Sequence, residues 1–133
     1  MHYIFRLEKL VRDRIPELMS EPGNVLEVLT LDHKAHIHAL KEKLKEEVEE
    51  VLNAHTREQV IEEIADVAEV LDALTLKLSI KKSEIEDKKR AKAMRKGGFD
   101  RGLFVKTVQL PSDSDLALRF LQEPGKYPRL EEV

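Results

Sequence analysis

Leu44-Lys45-Glu46-Glu47-Val48-Glu49-Glu50 and, past a short break, Glu62-Glu63-Ile64-Ala65-Asp66-Val67 govern how this chain folds. Each stretch contains two acids three residues apart, Glu47 with Glu50 and Glu63 with Asp66. On a helix that spacing puts both side chains on one face. In the first stretch Ile37, Leu40, Leu44, Val48 and Val51 recur at helical spacing, with Glu47 at the edge of the stripe and Glu50 one step further round. In the second, Val60, Ile64, Val67, Leu71, Leu74 and Leu78 alternate spacings of four and three, and Glu63 and Asp66 flank that seam. Most acid pairs on charged helices are simply wet surface, and 37% of this chain is charged. Acids bordering an apolar seam are different, because burial of a carboxylate is costly unless something neutralises it.

Around these stretches, Asp32 is placed to cap a helix running to about Ala54. Thr56 with Gln59 three residues on has the form of a capping box, opening a second helix that runs to about Ser79. A connection this short forces the two helices antiparallel. Glu50 and Glu63 are separated only by residues 51–62, each about three turns at most from the loop, so the hairpin brings both acid pairs to one level. Four carboxylates sharing a volume call for a cation. Hard ions such as Mg2+ take carboxylate oxygens, and Mg2+ is commonly held by few carboxylates together with substrate phosphates.

The remaining chain supplies smaller elements. Pro16 suits the first turn of a short helix beginning near Asp13 or Arg14, and Glu21-Pro22-Gly23-Asn24 is a turn. Residues 25–31 (VLEVLTL) read as a short extended stretch, although so brief an apolar run also fits helix. Ser83 with Glu86 has the form of another capping box, opening a helix that stops at Gly97-Gly98. Residues 103–110 (LFVKTVQL) suit a strand that pairs with 25–31, and Ser114 to Gln122 suits one more short helix. The expectation is an all-α bundle built on an antiparallel helix hairpin, with short extended segments at 25–31 and 103–110. One main domain over 1–110 would carry a C-terminal extension over 111–133. Tyr3, Phe5, Phe99 and Phe104 are expected in the core.

Charge is divided along the chain. Residues 41–72 carry 11 acids against four bases, while residues 81–106 carry ten bases against four acids. A segment that holds cations with a neighbour that holds anions suits a metal–nucleotide substrate. The basic block has no interleaved aromatics or nucleic-acid motif, so no nucleic-acid partner is expected. There is no Cys, which excludes a disulfide framework and thiol chemistry. His33, His36, His38 and His55 form no metal-ligand pattern and read as solvated. No stretch approaches the roughly 20 apolar residues of a membrane span, so a cytoplasmic protein with no membrane partner is expected. One hairpin and a third helix leave much of the seam uncovered, and a homodimer or tetramer is expected.

The acidic stretches resemble the EExxE and ExxD motifs of the all-α nucleoside triphosphate pyrophosphohydrolases of the MazG superfamily, which includes phosphoribosyl-ATP pyrophosphohydrolase. Lys9-Leu10-Val11-Arg12-Asp13-Arg14-Ile15-Pro16-Glu17 and Lys96-Gly97-Gly98-Phe99 resemble a branch of small, single-domain house-cleaning members. The resemblance covers roughly residues 7–106. It implies a MazG-like bundle with Glu47, Glu50, Glu63 and Asp66 as ligands of Mg2+, or of Mn2+. It implies Glu46 as a catalytic carboxylate that activates water or supports the ligands, with Glu69 as a further acid. Arg12, Arg14, Lys92 and Lys96 are the candidates for the triphosphate. In that branch the base before the paired glycines is more often Arg, and Lys96 acts as a point charge where Arg would bind bidentately. The implied reaction is Mg-dependent hydrolysis of a nucleoside triphosphate to a monophosphate and pyrophosphate. Two alternatives stand beside it: phosphoribosyl-ATP pyrophosphohydrolysis, and a non-catalytic helical oligomerisation or partner-binding module.

Overall fold

A computed structural model describes residues 1–131. The chain is all-α: five helices, α1 (Ile15–Met19), α2 (His33–Asn53), α3 (Arg57–Lys77), α4 (Lys82–Lys96) and α5 (Asp115–Leu121), with no strand among the described residues. It divides into two compact units, Met1–Arg95 and Lys96–Val133.

In the first unit, local chemistry sets each boundary. Arg14 precedes α1, whose first turn holds Pro16, where the missing amide hydrogen costs nothing. The Glu21–Asn24 turn closes through the Asn24 amide on the Glu21 carbonyl, with Gly23 at φ +91°, the left-handed conformation a type II turn requires at that position. Asp32 caps α2 by accepting from the Ala35 amide at 2.8 Å. Thr56 and Gln59 complete the expected capping box at the start of α3. Residues 54–56 are thus the whole connection between two packed 21-residue helices, and the chain must reverse there.

The rotation of α3 differs from the sequence expectation, and α2 departs from it only at Val48. Leu40 and Val70 are buried, but Val48, Ile64, Leu71 and Leu78 are between 41% and 53% exposed. The covered line on α3 runs through Val60, Glu63, Val67, Val70, Leu74 and Lys77, and the covered line on α2 includes Glu47 itself. On α2 the expected stripe is covered at Ile37, Leu40, Leu44 and Val51, whereas on α3 every second position of the covered line is one register step from the apolar stripe. Glu47 and Glu63 sit within the seam rather than at its margin, while Glu50 is exposed.

Three other expectations are corrected. Residues 25–31 and 103–110 carry no regular secondary structure and form no strand pair. The helix after the hairpin starts at Lys82, ahead of Ser83: the Glu84 carboxylate accepts from the Lys81 amide at 2.8 Å and closes that end. Its expected stop is present, with Gly97 at φ +80°, a conformation favouring glycine at a helix C-terminus. Tyr3, Phe5, Phe99 and Phe104 are all at least 78% exposed, because the segments bearing them build no covering layer.

In the second unit, Ser114 caps α5 through the Ala117 amide at 3.1 Å. Ala117 is buried, and Phe120 stacks on Tyr127 with ring centroids 3.9 Å apart. The Lys126 ammonium lies 5.2 Å from the Tyr127 ring centroid, within cation–π range.

Candidate metal centre

The packing of α2 on α3 brings Glu47, Glu50, Glu63 and Asp66 together, with one carboxylate oxygen of each within 4.8 Å of all the others. Antiparallel reversal accounts for this: Glu50 lies about one turn before the end of α2 and Glu63 within about two turns of the start of α3, and Glu47 and Asp66 lie one turn further along each helix. Glu47 is 6% exposed, Glu63 and Asp66 are half-buried, and Glu50 is open to solvent.

A carboxylate with no cation near it is expensive in such a place. Lys43, one turn before Glu47, places its ammonium 3.2 Å from Glu47 Oε1 and 3.3 Å from Glu46 Oε1. The other oxygen, Glu47 Oε2, is buried and has no hydrogen-bond partner among the described residues, and the same is true of Glu63 Oε2. Two orphaned acceptors at the middle of an acid cluster are what a cation would satisfy. Mg2+ holds oxygens at about 2.0–2.1 Å, so opposite ligands lie about 4.2 Å apart. The 4.8 Å spread of the four oxygens is close to that value.

The electrostatics point the same way. Burial raises the Glu47 pKa above its ordinary 4.5; the bond from Lys43 opposes this, and the nearby Glu50 and Asp66 charges add to it. Glu50 is also raised, first by its hydrogen bond with Glu63, then by desolvation and the Glu63 charge. For Lys43 burial acts to lower the pKa, but Glu47 and Glu46 outweigh it and hold the ammonium more firmly charged.

The basic candidates separate. Arg12 Nη2 donates to Asp66 Oδ1 at 2.8 Å, placing its guanidinium at the rim of the cluster. Arg14 makes no ion pair among the described residues and sits at the N-cap of α1. Lys92 borders another cavity, of about 440 Å³, with Ile80, Glu84, Ile85, Lys88 and Lys89, and none of the four carboxylates lines it. Lys96 falls in the second unit. Glu46 holds both Lys43 and Lys9 through Oε1, the latter at 3.5 Å. Glu69 is exposed on α3. Two residues given no site role from the sequence belong here: Lys43, signalled only by an i,i+4 Lys–Glu spacing common on any helix, and Lys9, which opens the quoted motif. A polar cavity of about 400 Å³ adjoins the cluster, lined by Glu50, Asn53, Ala54, His55, Gln59, Glu62 and Glu63.

Among known proteins, a protein of Mycolicibacterium smegmatis described as uncharacterized is 43% identical to this chain over 56 residues, 42% of the chain. The match covers 57% of that protein's own length. No family model matches, and no solved structure matches. Among the described residues no helix is long and apolar enough to cross a membrane.

Proposed function

We propose that this chain is a MazG-like, Mg-dependent nucleoside triphosphate pyrophosphohydrolase. The observation that carries the reading is the four-carboxylate cluster with buried, unpartnered oxygens on Glu47 and Glu63. Glu47, Glu50, Glu63 and Asp66 hold Mg2+, or Mn2+ in its place. The bound ion supplies Lewis acidity and a water of lowered pKa.

The chain's own residues do the rest. Lys43 fixes Glu47 through Oε1, which directs Oε2 inward. Glu46 keeps one oxygen on the two lysines, and its other oxygen is the candidate acceptor for the proton of the attacking water. Water adds across the bond between the α and β phosphates, releasing a monophosphate and pyrophosphate. Arg12 stands where it can take charge from the phosphates. The adjoining cavity of about 400 Å³ gives the substrate room within the range of ligand sites. With a nucleoside triphosphate as substrate, the work belongs in the cytoplasm.

The active form is a homodimer or a tetramer. Ile61, Ile64, Leu71 and Leu78 lie along one face of α3 and are all at least 41% exposed. An apolar helix face of this length marks an interface, and a second copy covers it. The same face is what favours the second reading, a helical partner-binding module without catalysis.

A pyrophosphate-release assay over common, damaged and phosphoribosylated nucleotides, with and without Mg2+, separates these readings. Mg-dependent release from nucleoside triphosphates is expected. Release from phosphoribosyl-ATP alone would assign the related activity, and no release from any of them would leave the binding module.

A further inference from the structure

The segment that precedes α1 does more than lead into it. Within four residues it sends two cations to two different helices: Lys9 to Glu46 on α2 and Arg12 to Asp66 on α3. Between them Leu10 and Val11 are half-buried, which anchors the segment as a strap across the hairpin. The chain enters the strap through Glu8 at φ +43°, an uncommon conformation for a residue with a side chain of this kind.

We propose that Arg12 is an exchangeable counter-ion: it neutralises Asp66 while the cluster lacks a divalent cation, and passes to the phosphates of the substrate when the cation takes that carboxylate. This rests on the metal-centre reading above and adds to it the order of charge transfer. Three observations carry it. Arg12 uses one nitrogen, Nη2, on Asp66, so most of the five guanidinium donors remain for another oxyanion. The pair is accessible, with the Arg12 side chain 58% exposed and that of Asp66 32% exposed, and ion pairs this open are weak enough to yield to a competitor. Lys43, by contrast, is 16% exposed and holds two carboxylates, so less solvent competes for it. The centre therefore carries one fixed cation and one movable cation. The movable one is an arginine, whose planar fork matches phosphate.

The exchange is visible in the guanidinium itself. In 15N spectra of the full chain, with the Arg12 signal assigned through Arg12→Lys, the side-chain N–H should be protected from solvent exchange in EDTA and lose that protection at saturating Mg2+. It should regain protection when a nucleoside triphosphate with a methylene between its α and β phosphates is added. Calorimetry runs in parallel. Arg12→Ala should bind Mn2+ alone about threefold more tightly, as expected for loss of an exposed competing pair. Arg14→Ala, which removes the same charge two residues away, should change that affinity much less.

Should Mg2+ release binding heat while the Arg12 signal stays protected, Arg12 is a fixed support for Asp66 and the exchange is wrong. Equal effects of the Arg12 and Arg14 substitutions also overturn it, since bulk charge would then suffice. Absence of any Mg2+ heat from the unaltered chain removes the metal centre itself, and the exchange with it.

Discussion

The Lys43 ammonium lies 3.2 Å from Glu47 Oε1, while Glu47 Oε2, buried beside it, meets no donor among the described residues. One carboxylate thus has a neutralised end and a reserved end. Replacing Lys43 by Met keeps the stem and removes the charge, leaving both oxygens of a buried acid unpartnered. A loss of about 1–3 kcal/mol in urea unfolding is expected, with Lys43→Arg retaining more of the stability. Unchanged stability in Lys43→Met would mean that the pair is incidental.

Acid clusters without a cation reverse the usual pH dependence. Glu47 and Glu50 have native pKa values above the ordinary 4.5, so the folded chain binds more protons than the unfolded chain in the interval between. Stability then falls as pH rises from near 4.5 through the raised native values. Thermal unfolding in EDTA should show a lower midpoint at neutral pH than at mildly acidic pH. Mg2+ should raise the neutral midpoint most and release protons on binding. A midpoint in EDTA that climbs steadily toward neutral pH would count against the shared site.

Glu50→Gln removes a charge that its acidic neighbours oppose and a ligand that the proposed chemistry requires. Pyrophosphate release should fall by on the order of 100-fold or more, while the midpoint in EDTA rises because the repulsion with Glu63 is gone. Full activity in this variant would take Glu50 out of the site.

The exposed stripe on α3 gives a separable expectation. Leu71→Glu puts a charge on the face that a second copy should cover, and light scattering should report a shift toward monomer with helix content kept. A chain that is already monodisperse and monomeric at micromolar concentration would contradict the assembly.

Thr56 holds the reversal on which the acid register depends, accepting from the Gln59 amide at 3.2 Å while Gln59 Oε1 accepts from the Thr56 and His55 amides. Thr56→Ala should cost about 1 kcal/mol, read by urea unfolding. An unaltered unfolding midpoint would show that the hairpin does not rely on this cap.

Much of this was legible from local chemistry. Asp32, Thr56, Gln59, Gly97 and Ser114 act within a turn of their own positions, so the sequence places the element ends they govern. The meeting of Glu47, Glu50, Glu63 and Asp66 comes from counting residues on either side of a three-residue connection. The rotation about the α3 axis was not legible. The lines 60-64-67-71-74-78 and 60-63-67-70-74-77 have the same periodicity, and the choice between them is made by what lies opposite. Apolar content favours the first line, whereas the hairpin covers the second and leaves Ile64, Leu71 and Leu78 facing out. Lys43 escaped for a related reason: its spacing from Glu47 is commonplace, and only burial distinguishes it.

Whether four carboxylates on two helices form one divalent-cation centre is decided by calorimetric titration of Mn2+ into the full chain, beside Glu63→Gln. Saturable binding by the unaltered chain that is lost in the variant is predicted; no binding heat, or equal binding by both, would contradict it.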